Sequence, residues 1–437
     1  MKYYHESARK LPVVREVEVL VVGGGPAGFA AAVTSARLGA DTLLIEHGGA
    51  VGGVATSGLM SHWTGATEGP LYAELLGRSQ DTDRDWNYYA DKVLHGERII
   101  HPEKLKLAML NMLDEAGAEL QLYTAAADVI MDGNRVRGVV TESKSGREAI
   151  YADVVIDATG DGDIAFKAGA EYVKGREDDG KMQPVSVMFK IGGVDMKTAV
   201  FPGEFEDDFE IDGRSIQALA KEKLPHPIGH VLLYPSSMPG VVSVNMTNAI
   251  DVDGTDVRSI TRGEIVCRRQ IPLIVDFLRK YVPGYAECFL LMTAGALGVR
   301  ETRHFVGLYT LTADDIREAR VFDDWVVTRA YFNFDVHNMS GSGMDKTGVQ
   351  KEFTQKAKYT IPFGCFVPKT VDGLLLAGRN ISGTHLAHSN YRSMPTCVNM
   401  GQGVGTIAKV SVQDALLPRH VEVKKVQELL NQQGVQV

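Results

Sequence analysis

Residues 19–28 read VLVVGGGPAG: an apolar run leads straight into glycines at 23, 24, 25 and 28. The preceding VEVLVV is β-branched and apolar throughout, as in a strand buried inside a parallel sheet. The following FAAAVTSARLGA has helical propensity and ends near Gly39. A second strand, DTLLIE, then ends at Glu46, so an acid follows a GxGxxG turn at the spacing of a dinucleotide-binding crossover. Each glycine has a physical task in such a unit. Gly23 permits the tight turn, Gly25 lets a pyrophosphate approach the main chain, and Gly28 lets the helix pack on the sheet. The helix start offers unpaired N–H groups and about half a positive charge. Glu46 is placed to accept hydrogen bonds from a ribose diol and to repel a 2′-phosphate.

This fingerprint serves NAD and FAD alike, and three further stretches separate them. HGGAVGGVATSGLMSHWTG (47–65) is a glycine-rich loop where a plain NAD domain would start a helix, which suggests a ligand longer than adenosine. VVIDATGDGDIA (154–165) is a strand running into Thr159, Gly160 and Asp161. The stretch from Gly373 holds a short strand, Gly378-Arg379, a polar loop and a glycine-bearing segment read as a helix opening near Met400-Gly401-Gln402-Gly403. No second GxGxxG with its strand, helix and acid follows, so no separate nicotinamide domain is expected.

Six pieces in order, VLVVGGGPAGFAAA, LLIE, GGVATSG, VVIDATGDGD, LGVRETR and GLLLAGRNISGTH…MPTCVNMGQGVG, resemble the bacterial FAD-dependent oxidoreductase family. That family lies in the glutathione-reductase-like two-dinucleotide-fold superfamily and is distantly similar to fumarate reductase and succinate dehydrogenase flavoproteins. The resemblance implies an α/β chain: a Rossmann-like FAD-binding domain with a mostly parallel sheet and an inserted α+β substrate domain. It implies bound FAD, with its ring near the 52–63 loop and the 378–403 segment. Carried over residue by residue, it places Gly23, Gly25, Pro26, Ala27 and Gly28 at the pyrophosphate, and Glu46 with His47 at the ribose. Gly52, Gly53, Ala55 and Thr56 would line the ring path. Thr159, Gly160 and Asp161 would close over the adenosine side. Gly378 and Arg379 would touch the cofactor, and Gly401, Gln402 and Gly403 would aim helix N–H groups at the flavin pyrimidine edge.

The expected organisation is discontinuous. Residues 15–66, 98–185 and 346–416 form the FAD domain, 67–97 a small insert, 186–345 the substrate domain and 417–437 a terminal helix. Asp132-Gly133-Asn134 reads as a hairpin turn, SVMFKIGG and GVVSVNMTN as strands of a mixed sheet, and EIVCRRQIPLIVDFLRKYV as an amphipathic helix.

Hydride transfer at a flavin asks the protein for orientation, a proton acceptor and charge complementarity. His385 and His388, in GTHLAHSNYR, are candidate bases; a Thr-His pair at that point also fits the family. Arg300 and Arg303, three apart, would share a face if helical, and Arg300 and Arg392 are candidates for a substrate carboxylate. His337, in DVHN, is a further candidate; with Asp335 it finds no third ligand at metal-binding spacing, so no metal is expected. The expected reaction moves a hydride between flavin N5 and a small organic substrate, oxidising a sugar-like or alcohol-like hydroxyl. The alternative is reduction of an activated C=C bond with an arginine-bound carboxylate.

Composition sets the remaining bounds. A formal net charge of −9 with no Lys/Arg run argues against a nucleic-acid surface. Four scattered cysteines with no CxxC pair argue against a zinc ribbon, a redox dithiol or a disulfide framework and suit a reduced, cytoplasmic chain. No apolar run reaches membrane-spanning length. The expected partners are a small-molecule substrate and an electron acceptor or donor, and the sequence leaves room for a homo-oligomer.

Overall fold

The computed structural model describes residues 2–80, 99–203, 207–345 and 355–437. Its main sheet has seven strands. Six run in the order β3-β2-β1-β6-β5-β4: β1 (Val13–Val22), β2 (Thr42–Ile45), β3 (Glu119–Gln121), β4 (Ala125–Asp132), β5 (Arg135–Ser143) and β6 (Gly146–Asp157). Strands β1, β2, β3 and β6 pair in parallel, and Leu374–Leu376 pairs in parallel with the end of β6. The β4-β5-β6 meander is antiparallel, with the expected hairpin closing Asp132 onto Arg135. The stretch LQLYTAAADVIM does not run as one strand. It breaks between β3 and β4 at Tyr123, which takes a positive φ of 54°.

The chain leaves β1 to one side for β2 and β3, then returns to the other side of β1 as β6. The carboxyl ends of β1 and β6 therefore flank a crevice where the winding direction reverses, the place where open α/β sheets bind ligands. The first crossover helix, α1 (Pro26–Arg37), is buried from Pro26 to Ala36. A helix apolar on all sides must be covered on all sides. The sheet covers one face and the long helix Met394–Gln413 the other. Gly401 and Gly405 make that crossing close: a Cβ on Gly401 would lie 2.1 Å from the Ala27 carbonyl oxygen, and one on Gly405 2.6 Å from that of Ala31.

A second core is built from residues 185–294 together with Leu59. Its sheet runs Leu233–Pro235, Val242–Val244, Phe189–Gly192, Phe289–Thr293. Every pairing is antiparallel, so the mixed sheet expected from sequence is corrected; only Leu233–Pro235 and Val242–Val244 are joined by a short return, and Phe189–Gly192 pairs with strands far along the chain. Helix Val257–Tyr281 packs on it through Cys267, Ile271, Ile274 and Leu278. Residues 305–334, assigned by sequence to the 186–345 unit, send Phe305, Leu311, Trp325 and Phe334 into the larger core instead. The stretch 67–97 begins with helix Pro70–Ser79, which also joins the larger core through Leu71 and Leu75; its remainder from 81 lies outside the described residues, as do 346–354. The expected terminal helix is Val423–Gln432. No helix among the described residues is long and apolar enough to cross a membrane, and all four cysteines are free and buried.

Replacing Gly401 with Ala forces a methyl into a main-chain contact. The expected result is a loss of about 1–3 kcal/mol, read as a lower urea midpoint of the flavin-free protein.

Candidate active site

Three segments converge at the crevice. The first is the glycine turn. Gly23 has φ +101°, and a Cβ there would stand 2.5 Å from the Ala158 carbonyl oxygen; one on Gly28 would strike the Gly23 carbonyl at 1.8 Å. These two positions are glycine because main chain packs on main chain. Gly25 differs: nothing lies within 4 Å of where its Cβ would be. Gly25 also caps α1 without a side-chain hydrogen bond, and no acid occupies the first turn. A helix start with uncapped amides and open space before it is an anion site.

Glu46 follows β2 directly and is buried. Its Oε2 accepts the Gly24 N–H at 2.6 Å, and its Oε1 accepts the Gly48 N–H at 2.6 Å and lies 2.9 Å from His47 Nδ1. Burial works against its charge, but the His47 and two amide hydrogen bonds prevail and hold it below the ordinary carboxylate range. The 52–56 loop folds against the same turn: Gly52 N–H donates to the Gly24 carbonyl at 2.7 Å, and Gly53 sits over Gly25. Ala55 and Thr56 are buried beneath, with the Thr56 hydroxyl donating to Val51 O.

The second segment follows β6. Asp157 is fully buried and pushed up to about 6 by that burial, although Ala165 N–H and both donors of Thr159 bind it. Thr159 thus braces the turn that presents Gly160 and Asp161. The third segment follows Leu374–Leu376: Gly378, with φ +97°, approaches Ala27, and Arg379 Nη2 pairs with Asp161 at 3.0 Å. The other guanidinium nitrogen, Nη1, is buried and has no hydrogen-bond partner among the described residues. An open cradle, an uncapped helix start, a spare buried guanidinium N–H and a buried carboxylate suit a diphosphate flanked by a ribose.

Gly401, Gln402 and Gly403 do not join this set. The helix that carries them opens at Ser393-Met394-Pro395, seven residues before Gly401, so their amides are engaged within the helix. Gly401 packs on α1, Gly403 on Val326, and Gln402 donates to Gln433 beside a cavity of about 280 Å3 on the far side of the helix. The start signal overlooked in the sequence is Pro395 two residues after Ser393.

Deeper in the chain, two groups of ionisable side chains lie side by side. His385 Nδ1 meets Glu301 Oε1 at 2.6 Å, and His304 Nε2 meets the same oxygen at 2.9 Å. Oε2 accepts the Gln183 N–H at 3.1 Å. A carboxylate can only accept, so both rings present an N–H to it. His385 Nε2 and His304 Nδ1 are buried and without a hydrogen-bond partner among the described residues, like Nδ1 of His388. Glu301 is desolvated, yet the two histidines hold it far below the carboxylate range. Burial and the neighbouring His304 hold His388 well below the usual histidine range. Glu301 and His304 were not singled out from sequence, since the histidines they meet at 385 and 388 lie more than eighty residues away.

Beside them, Arg392 Nη2 donates to Asp335 at its carbonyl, 2.9 Å, and carboxylate, 2.8 Å, and His337 faces the other Asp335 oxygen at 3.5 Å. Arg300 donates to the Pro184 carbonyl at 2.6 Å and remains reachable from solvent. Burial, then Arg392, lowers it to about 10. Asp335 pairs with Arg392 and acts on Arg300 only through space, so the two guanidiniums leave a local excess of positive charge. The expectation that Arg300 and Arg303 share a helical face is corrected. The segment is extended, so Arg303 turns away to Asp161 O and Asp163 and lies over Phe166.

Residues 18–430 match the family model described as FAD dependent oxidoreductase. The chain belongs to that family. Its cofactor is FAD, and the crevice residues fit it. Among curated proteins, thiamine thiazole synthase of Methanococcus vannielii is 31% identical over 153 residues, 33% of this chain and 56% of that one. Digeranylgeranylglycerophospholipid reductase 2 of Methanopyrus kandleri is 29% identical over 155 residues, 33% of this chain and 38% of that one. The chain thus spans about half or less of these relatives' length. A geranylgeranyl bacteriochlorophyll reductase-like protein from Thermoplasma acidophilum superposes with TM-score 0.50 over 96% of this chain and 84% of that one, at 15% identity, a likeness of fold alone.

Two tests follow from this geometry. Gly25→Ala places a methyl in the cradle at an ordinary φ of −65°, so the flavin-free protein should melt as the wild type does while FAD affinity falls at least tenfold in a fluorescence titration. His337, with 14% of its side chain exposed, is lowered to about 4 by burial and then by Arg300, with Asp335 pulling upwards. Between about 4 and the ordinary 6.5 the unfolded chain holds a proton that the folded chain does not, so stability is full above that window and falls with pH through it. Urea unfolding should lose up to about 3 kcal/mol less between pH 7 and pH 4.5 in His337→Gln than in the wild type.

Proposed function

We propose that this family member oxidises a hydroxyl of a small organic substrate, with His385 as the base. The carrying observation is the 2.6 Å contact of His385 Nδ1 with Glu301, which turns Nε2 away from the carboxylate with no hydrogen-bond partner among the described residues. When bound, FAD supplies the hydride acceptor. His385 Nε2 takes the hydroxyl proton, and Glu301, already ionised, stabilises the imidazolium that results. Arg300, reachable beside Arg392, supports a substrate that carries a carboxylate near the hydroxyl. In this reading the unit assigned to residues 186–345 supplies the substrate side, and the distant kinship with fumarate reductase flavoproteins is part of the proposal.

The pair Arg300 and Arg392 favours one second reading, reduction of an activated C=C bond next to a carboxylate. Anaerobic mixing with a panel of hydroxy acids, sugars and alcohols separates the two. Bleaching of the flavin by a hydroxylated compound supports the first. Reoxidation of reduced enzyme by unsaturated acids, with no bleaching by any alcohol, supports the second. His385→Ala should slow the bleaching by about 10²–10⁴-fold with flavin content unchanged, and Glu301→Gln should slow it in the same direction. Wild-type bleaching rates in His385→Ala would remove His385 as the base.

A further inference from the structure

The base reading uses His385 and leaves His304 and His388 without a task. Their rings meet edge to face with centroids 4.5 Å apart, and both are buried. Each has its Nδ1 buried and without a hydrogen-bond partner among the described residues. Glu301, His304 and His388 can each bring one ligand atom to a common spot, with those atoms all within 4.8 Å of one another. Glu301 is ionised and already serves two histidines through a single oxygen.

We propose that Glu301, His304 and His388 bind one divalent transition-metal ion. Two imidazoles and a carboxylate on one side, with positions left open, is a donor set that zinc, iron and manganese accept. The His388 ring, with its buried Nδ1 free of any hydrogen-bond partner among the described residues, is a ligand in waiting. Because Glu301 is itself a ligand, the His304 N–H that now donates to it gives way to the ion, and the ring keeps its proton on the free Nδ1. The His385 N–H keeps its place on Glu301 in either state, since a carboxylate accepts several partners. The site escapes a reading of sequence spacing because two ligands come from GVRETRH and the third from a helix more than eighty residues later.

The test uses the full chain with FAD, stripped with a chelator and dialysed. Calorimetric titration with zinc chloride, and separately with manganese chloride, should show saturable binding of one ion per chain. His304→Gln and His388→Gln should each weaken it about 100-fold or more, whereas exposed His420→Ala should leave it unchanged. The flavin spectrum and melting temperature of each variant report whether it folds. Should either variant misfold, X-ray absorption on the zinc-loaded wild type decides: nitrogen and oxygen neighbours with imidazole scattering support the site. A sulfur shell, absence of saturable binding, or wild-type affinity in the double variant would overturn it. None of these readouts involves turnover, so failure here leaves the role of His385 standing and failure of that role leaves the metal site standing.

Discussion

Main chain resting on main chain is the constraint from which this architecture follows. Gly23 lies against Ala158, Gly28 against Gly23, and Gly401 against Ala27, with no room for a methyl at any of the three. These contacts draw the ends of β1 and β6, the start of α1 and the long late helix to within a backbone's width of each other. The crevice is what the packing leaves over. Gly25 alone among the turn's glycines has nothing near its Cβ position, so the packing leaves space there that the protein does not fill.

Buried carboxylates then fix the polar details. Glu46 ties the turn to the 48–52 loop, Asp157 ties the end of β6 to helix Asp163–Lys167, Glu301 gathers two histidines, and Asp335 holds Arg392. Glu46, Asp157 and Glu301 have donors enough to remain buried, whereas Asp335 is half-buried and its other oxygen has, among the described residues, only His337 at 3.5 Å. Lys190 is the contrasting case. Its ammonium is buried between the hydroxyls of Ser61 and Ser243, has no acid beside it among the described residues, and is lowered to about 8 by burial. It joins the flavin-side loop to the sheet of the second core with hydrogen bonds alone.

How much of this was legible in the chain depends on distance along it. The β1-α1-β2 unit is read from the sequence because its strand, turn, helix and acid are local, and its glycines each answer a nearby clash. The helix carrying Gly401 was misplaced because glycines were taken as a sign of ligand approach. There they answer a second helix, a partner the local sequence does not reveal. The shared face weighed for Arg300 and Arg303 held only for a helical turn, and spacing alone does not separate a turn from the extended run found there. His385 was found, but its orienting partner Glu301 was not, since nothing local links residue 301 to residue 385.

The crevice also has a consequence in time. Its walls come from the first strand, from the end of β6 and from Gly378-Arg379 near the far end of the chain. During synthesis the early crossover can assemble on the ribosome, yet Arg379, which pairs with Asp161 at the crevice, arrives only with a much later segment. The crevice is therefore walled only late in synthesis, and a prematurely stopped chain would emerge with its Rossmann unit built but that wall missing.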